Sequence, residues 1–188
     1  TQRVLAAGAH HSLLIDGAGT LHTAGTERPR HPSAIGGTPG LLGHTHSGVV
    51  APGVGAPTLV SPLRRVAALQ HVPLASVSAG LSHSLALAID GSVYSWGCGK
   101  DGLLGHGDEA SIGMPRRIDS LAMHRIRSIA AGRMHSLAAS REGIIWSWGQ
   151  GAYDQLGHGD ESAGTLGPSE RCKRAPARIS ALAGERVL

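Results

Sequence analysis

The amino-acid sequence predicts an all-β protein built from repeated units that share one continuous core, as in a propeller or a solenoid. Three observations carry this expectation. The stretch SVYSWGCGKDGLLGHGDE at Ser92–Glu109 returns nearly intact as GIIWSWGQGAYDQLGHGDE at Gly143–Glu161. Trp96 to Trp148, His83 to His135 and Gly105 to Gly157 are each 52 positions apart, a register that chance matches would not keep. Each copy also sets two β-prone runs, Ser84–Ile89 and Val93–Trp96 in the clearest case, on either side of a turn dipeptide.

Taken in order, Thr1–Gly25 is a first copy, since Ala7-Gly8, His11-Ser12 and Gly25 match Ala79-Gly80, His83-Ser84 and Gly97 without a gap. Its Trp position has become Ala24, His22 replaces Tyr94, and Ala18-Gly19 stands for the Asp-Gly turn, so this unit is expected to be the loosest. From Thr26 to Pro62 the register breaks, and it recovers where Leu63–Val66 matches Pro115–Ile118. Within the break, Gly40–His44 repeats Gly102–His106, which divides the excess into inserts at 26–39 and 45–61. Both are rich in Pro, Gly, Ser, Thr and His, the composition of surface loop.

The second copy is the best preserved. Leu74–Val77, and Ile126–Ile129 in the next unit, read as inner strands whose small residues suit the narrow end of a wedge. Asp90-Gly91 is expected to take positive φ at both positions of a tight hairpin, with Glu142-Gly143 in the same place one unit later. The glycine-rich Gly97–Asp108 reads as a compact loop. The third copy carries its own insert at 162–172. The units run approximately over 1–72, 73–130 and 131–188, one partial domain in all. The chain ends at Arg186-Val187-Leu188 much as it begins at Arg3-Val4-Leu5, so both ends are expected to cut across a repeat.

Composition narrows the function classes. The 188 residues are 41 % apolar and 16 % charged, ordinary for a globular protein and not for a disordered one. With 28 Gly, 12 His and no Phe, the aromatic core must rest on three Trp and two Tyr. The net charge of +4 is spread in pairs, Arg64-Arg65 and Arg116-Arg117, which read first as protection of exposed strand edges. Cys98 and Cys172 form neither a CxxC motif nor a disulfide framework, so a reducing, intracellular setting is expected. No apolar run is long enough to span a bilayer, and no membrane partner is expected.

Twelve histidines invite a metal hypothesis. Yet His83 and His135 recur beside Ser, and His106 and His158 recur in the glycine turn, whereas a catalytic metal is needed at one place only. These four are expected to be structural hydrogen-bonding groups. His10-His11 and His44-x-His46 are freer, but they lack Cys or carboxylate partners at ligand spacing, so no metal site is expected. Gly97-Cys98-Gly99 and Gly149-Gln150-Gly151 lack the third glycine and the following helix of a dinucleotide site, so no cofactor is expected. No nucleophile has a neighbouring base and no motif pairs two carboxylates, so no catalytic residue is assigned. Asp108-Glu109 and Asp160-Glu161 read as turn caps.

The run Ala-Gly-x-x-His-Ser-Leu-Ala-Leu, then Asp-Gly-x-Val-Tyr-Ser-Trp-Gly-x-Gly, then Leu-Gly-His-Gly-Asp and a Pro before the last strand resembles the repeat of the regulator of chromosome condensation family. The resemblance covers Ala79–Asp160 almost continuously and Ala7–Leu69 more loosely. It implies a β-propeller, typically of seven four-stranded blades, of which this chain is a partial ring of about three. Carried over, Ile126–Ala130 is an inner strand, Ser136–Ala139 the second, Ile145–Trp148 the third, and the outer strand follows Pro176. Trp96 and Trp148 become inter-blade wedges, with His83, His135, Gly105 and Gly157 as further structural residues.

The resemblance also offers functions. Nucleotide exchange on the small GTPase Ran is the founding activity, but no insert here matches the protruding wedge through which it acts. Ultraviolet-B perception in plant relatives needs Trp where this chain has Leu81-Ser82 and Arg133-Met134, and it is not expected. Binding to chromatin or to other proteins needs only a face with varied loops. The expected function is therefore a scaffold for protein–protein interaction, with exchange-factor or chromatin-binding roles as alternatives. All three inserts fall between third and outer strands, at the end of the blade where Leu81, Ser82, Arg133 and Met134 also emerge. Arg28, Arg30, Arg171, Lys173 and Arg174 make two inserts basic, so the expected partner is a protein with an acidic surface, then nucleic acid or a small GTPase.

Overall fold

A computed structural model describes residues 4–27, 41–44, 59–159 and 171–182. They form twelve strands: β1 Val4–Ala7, β2 His11–Ile15, β3 Leu21–Glu27, β4 Leu59–Arg65, β5 Leu74–Ala79, β6 His83–Ala88, β7 Val93–Gly97, β8 Ile112–Arg117, β9 Ile126–Ala131, β10 His135–Ser140, β11 Ile145–Gly149 and β12 Lys173–Arg178. Each successive group of four pairs in chain order as an antiparallel meander, giving three four-stranded sheets. These are propeller blades, inner strand first.

The second and third strands of each blade are joined by a three-residue turn. Ala88 N–H donates to Ser92 O and Gly91 N–H to Ala88 O, and the same pair of bonds recurs at Asp16–Thr20 and Ser140–Ile144. Only the last turn residue has positive φ, +91° at Gly91 and +84° at Gly143. The expectation of positive φ at both Asp90 and Gly91 is thus corrected. A type I turn closed by one left-handed glycine does the same work, with the Asp90 carboxylate accepting from Ser92 N–H at 2.8 Å.

Alternation decides where the core lies. In β2, His11, Leu13 and Ile15 are buried and Ser12 is exposed; in β10, Ser136, Ala138 and Ser140 are buried while their neighbours are half-buried; in β6 all six residues are buried. The middle blade therefore has a neighbour on both faces and the flanking blades on one. Ala86 and Ala88 of β6 join Leu13, Ile15, Leu21, Val77 and Trp96 in one inter-blade core. Leu85 and Leu87, on the opposite face of the same strand, join Ile118, Leu121, Ala138, Trp146 and Trp148 in the other.

Three sequence expectations shift. The outer strand of the third blade begins at Lys173 and contains Pro176 instead of following it, because Gly149 pairs with Lys173 across a bulge. β3 and β4 likewise extend through residues 26–27 and 59–61, into the ends of the inserts. Ala24 shares a strand face with His22, the face that in the next blade carries Tyr94 and Trp96 toward the preceding blade. Its loss of Trp therefore leaves the junction between first and second blades intact, and that junction is wedged by Trp96.

Candidate partner-binding face and the latches that hold it

The glycine turns of the first and second repeats are each bolted to two blades at once. Within its own blade, Ser95 Oγ donates to Leu104 O at 2.7 Å and meets His106 Nε2 at 3.0 Å. From the next blade, Trp148 Nε1 donates to Leu103 O at 3.0 Å and Ser136 Oγ to the same oxygen at 3.2 Å. One junction earlier the scheme repeats: Thr23 Oγ1 serves Leu42 O and His44, while Trp96 and Ser84 serve Leu41 O. Leu103 and Leu104 are themselves buried, so the turn is core as much as loop.

His11 and His83 complete the latch near the inner strands. His11 Nε2 lies 2.8 Å from Ser84 Oγ, and His83 Nε2 lies 2.9 Å from Ser136 Oγ. Because each hydroxyl proton goes to a leucine carbonyl, the network assigns the imidazole proton to Nε2. Their Nδ1 atoms are buried without a partner. Burial first, then neighbouring histidines, pushes both imidazoles down to about 4. The glycine before each ring is demanded by close approach: a Cβ on Gly80 would lie 2.6 Å from Gly132 O of the next blade and 2.6 Å from His83 Nδ1.

At one end of the blades the latches support a cluster of connections. Cys98 N–H donates to Ser82 O and Gln150 N–H to Met134 O, each at 2.8 Å, so the connection that follows the third strand starts against the one joining inner and second strands. Leu81, Ser82 and Met134 are half-buried there and Arg133 is exposed. Leu81 N–H donates to Arg133 O of the neighbouring blade at 3.1 Å, which ties the two segments into one surface.

The basic residues expected on this face are placed differently. Arg28 and Arg30 lie outside the described residues. Arg171 turns onto its own loop, with a guanidinium nitrogen 3.5 Å from Ala152 O and 3.9 Å from Asp154. Lys173 and Arg174 belong to β12, and Arg174 clasps Glu109 of the preceding blade through Nε at 2.8 Å and Nη2 at 2.7 Å. Glu109 is thus an ion-pair partner, whereas Asp108 does cap its turn by accepting from Ala110 N–H. His44, read from sequence as less constrained than the repeated histidines, occupies on Thr23 the place that His106 and His158 take on Ser95 and Ser147. The match of Gly40–His44 to Gly102–His106 held that signal.

Among the described residues no three His, Cys, Asp or Glu side chains come together in a metal-binding group, and neither cysteine is in a disulfide. No described helix is long and apolar enough to cross a membrane.

Comparison with known proteins agrees with this architecture. The regulator of chromosome condensation (RCC1) repeat matches residues 90–139 and 142–188, and a second pattern of the same repeat matches 74–103 and 126–155. The mouse E3 ubiquitin-protein ligase HERC2 is 33 % identical over 138 residues, 72 % of this chain but 3 % of the ligase. Yeast RCC1 (Prp20), solved bound to Kap60, superposes with a TM-score of 0.67 at 27 % identity, covering 93 % of this chain and 36 % of that one. Prp20p from Saccharomyces cerevisiae, described with its binding properties to Gsp1p and histones, gives 0.69 at 25 % identity, covering 93 % of this chain and 37 % of its own. The chain thus spans a small part of the ligase and little more than a third of the solved propellers. With the repeat matched over more than half its residues and its blades reproduced in order, the chain belongs to the regulator of chromosome condensation repeat family.

Proposed function

We propose that this chain is a propeller scaffold for protein–protein interaction whose partner contacts the end of the blades bearing Leu81, Ser82, Arg133 and Met134. The carrying observation is the contrast between the two ends of the blades. At one end each blade has a three-residue turn. At the other, where 31 residues of sequence separate Glu27 from Leu59 and 23 separate Gly149 from Lys173, the described connections are hydrogen-bonded across blades. Long loops on a rigid framework are the usual site of recognition. Arg28 and Arg30 belong to the first long connection and are assigned to this surface, together with Lys173 at its margin. Arg171 and Arg174 serve it by holding its loops. An acidic protein surface is the partner chemistry this reading favours.

The test is affinity capture with the full-length protein, comparing wild type with a variant carrying Arg133→Ser and Met134→Ser. Loss of captured partners with an unchanged melting temperature is expected. Unchanged capture, together with loss on altering the Asp90-Gly91 and Glu142-Gly143 turns, would place the surface at the opposite end. A second reading, nucleotide exchange on a Ran-like small GTPase, is favoured by the likeness to yeast RCC1. Labelled-nucleotide release from a panel of small GTPases separates the two.

A further inference from the structure

Of the three blades, only the second carries an acid just past its outer strand, Asp119, where the first has Ala67 and the third Ser180. At the end of β8, Arg117 Nε lies 3.2 Å from Asp119 Oδ1, just past the strand. Val66 and Ile118 fix the equivalence of the two blades, since both are buried and donate N–H at 2.8 Å to the first residue of the third strand, Leu21 or Val93. One position beyond Val66, where Asp119 stands after Ile118, the first blade has Ala67. Arg64 and Arg65, which end β4, are exposed and have no ion pair among the described residues. No compensation is encoded nearby, because the sequence from Arg28 to Ile89 contains neither Asp nor Glu.

The missing acid coincides with a cleft. A space of about 380 Å³ is bounded by His44, Arg64, Arg65, Ala67, Ala68 and, from the outer strand of the next blade, Met114. His44 is held by Thr23, whose ladder partner is Arg64. Two guanidinium groups and an imidazole therefore border a patch made of two alanines and a methionine that is 40 % exposed. A guanidinium fork matches a carboxylate, and the apolar patch accepts a neighbouring aliphatic side chain.

We propose that this cleft docks an acidic peptide segment of a protein partner, a carboxylate lying on Arg64 and Arg65 and an adjacent apolar side chain on Ala67, Ala68 and Met114. It rests on the scaffold reading above but names a separate place, at the outer edge of the first two blades. A nucleic-acid backbone fits less well, because it needs a basic track across several blades. Here the corresponding arginine of the second blade is already paired with Asp119.

The experiment uses the full-length protein and a fluorescent peptide of repeating Asp-Leu-Glu, followed by anisotropy, with an Asn-Leu-Gln peptide and oligo-dT as alternatives. Ala67→Asp restores the charge of the second blade at an exposed position, and it should weaken the acidic peptide about tenfold, as should Arg64→Gln with Arg65→Gln. Arg116→Gln with Arg117→Gln should leave binding unchanged, and the neutral peptide should not bind. Equal weakening by the second-blade pair, equal affinity for the neutral peptide, or tighter binding of oligo-dT would each overturn the proposal. Loss of this site with capture still dependent on Arg133 would leave the scaffold reading standing.

Discussion

At the residue scale, His11 and His83 couple blade association to pH. Each ring spends its Nε2 proton on a serine of the next blade and keeps a buried Nδ1 with no acceptor in reach, so a second proton brings charge into a dry junction. Their pKa is about 4 in the fold against about 6.5 unfolded, so between these values the unfolded chain binds more protons. Stability is full above pH 6.5 and falls as pH drops toward 4, by about 2–3 kcal/mol per ring at the acid end. Urea midpoints at a series of pH values should show this, and His83→Gln, which keeps a donor but cannot titrate, should flatten part of the slope. Trp148 sets the other extreme. It is fully buried and anchors Leu103 O, so Trp148→Ala should cost about 3–5 kcal/mol. His44→Ala removes the partly buried hydrogen bond to Thr23, a loss of about 1 kcal/mol to be read in the same denaturation assay.

At the element scale, the glycine turn behaves as a part shared between blades, and its tolerance should depend on whether a blade follows. Gly105 has φ +76° and a Cβ there would sit 2.9 Å from Trp148 Nε1 of the next blade. Gly157 has the same left-handed backbone, φ +71°, but meets only Ile179 of its own blade at 3.6 Å. Gly157→Ala should therefore cost the backbone strain alone, about 1 kcal/mol, whereas Gly105→Ala should cost that strain and also displace the wedge tryptophan. Thermal melting of the two variants tests the difference, and tryptophan fluorescence should shift only for Gly105→Ala.

At the scale of the whole molecule, the middle blade is covered on both faces and the flanking blades on one. Among the described residues, Leu5 is 74 % exposed, and Leu14 and Leu137 are only half-buried on the uncovered faces. The groups of a latch recur there: Ser12 is exposed where Ser84 and Ser136 each receive a histidine, and His135 has no serine from a following blade among the described residues. Residues 1–188 produced alone are expected to self-associate through these faces, which sedimentation at increasing concentration would reveal as a rising mean mass. A concentration-independent monomer would show that the faces are polar enough to stand in water.

The order of four strands per blade was legible in the sequence, as was the recurrence of Trp96 and Trp148, and of His83 and His135, at one place in each copy. They depend on local periodicity and on a 52-residue repeat, and each copy of the repeat is an independent reading of the same environment. Which blade a residue serves was not legible. Trp96 packs on the preceding blade and Ser95, its neighbour in sequence, holds its own blade's turn, because adjacent side chains of a strand point to opposite faces. The same holds for charge: Arg174 looked like a loop cation and is a clasp for Glu109, 65 positions away, while Arg64 and Arg65 looked like edge protection and border a cleft. By itself, the sequence determined the repeat, the strands and the residues whose roles recur in every copy. Only the tertiary structure decided pairings between copies, because those depend on how blades are rotated against one another, and no spacing along the chain encodes that angle directly.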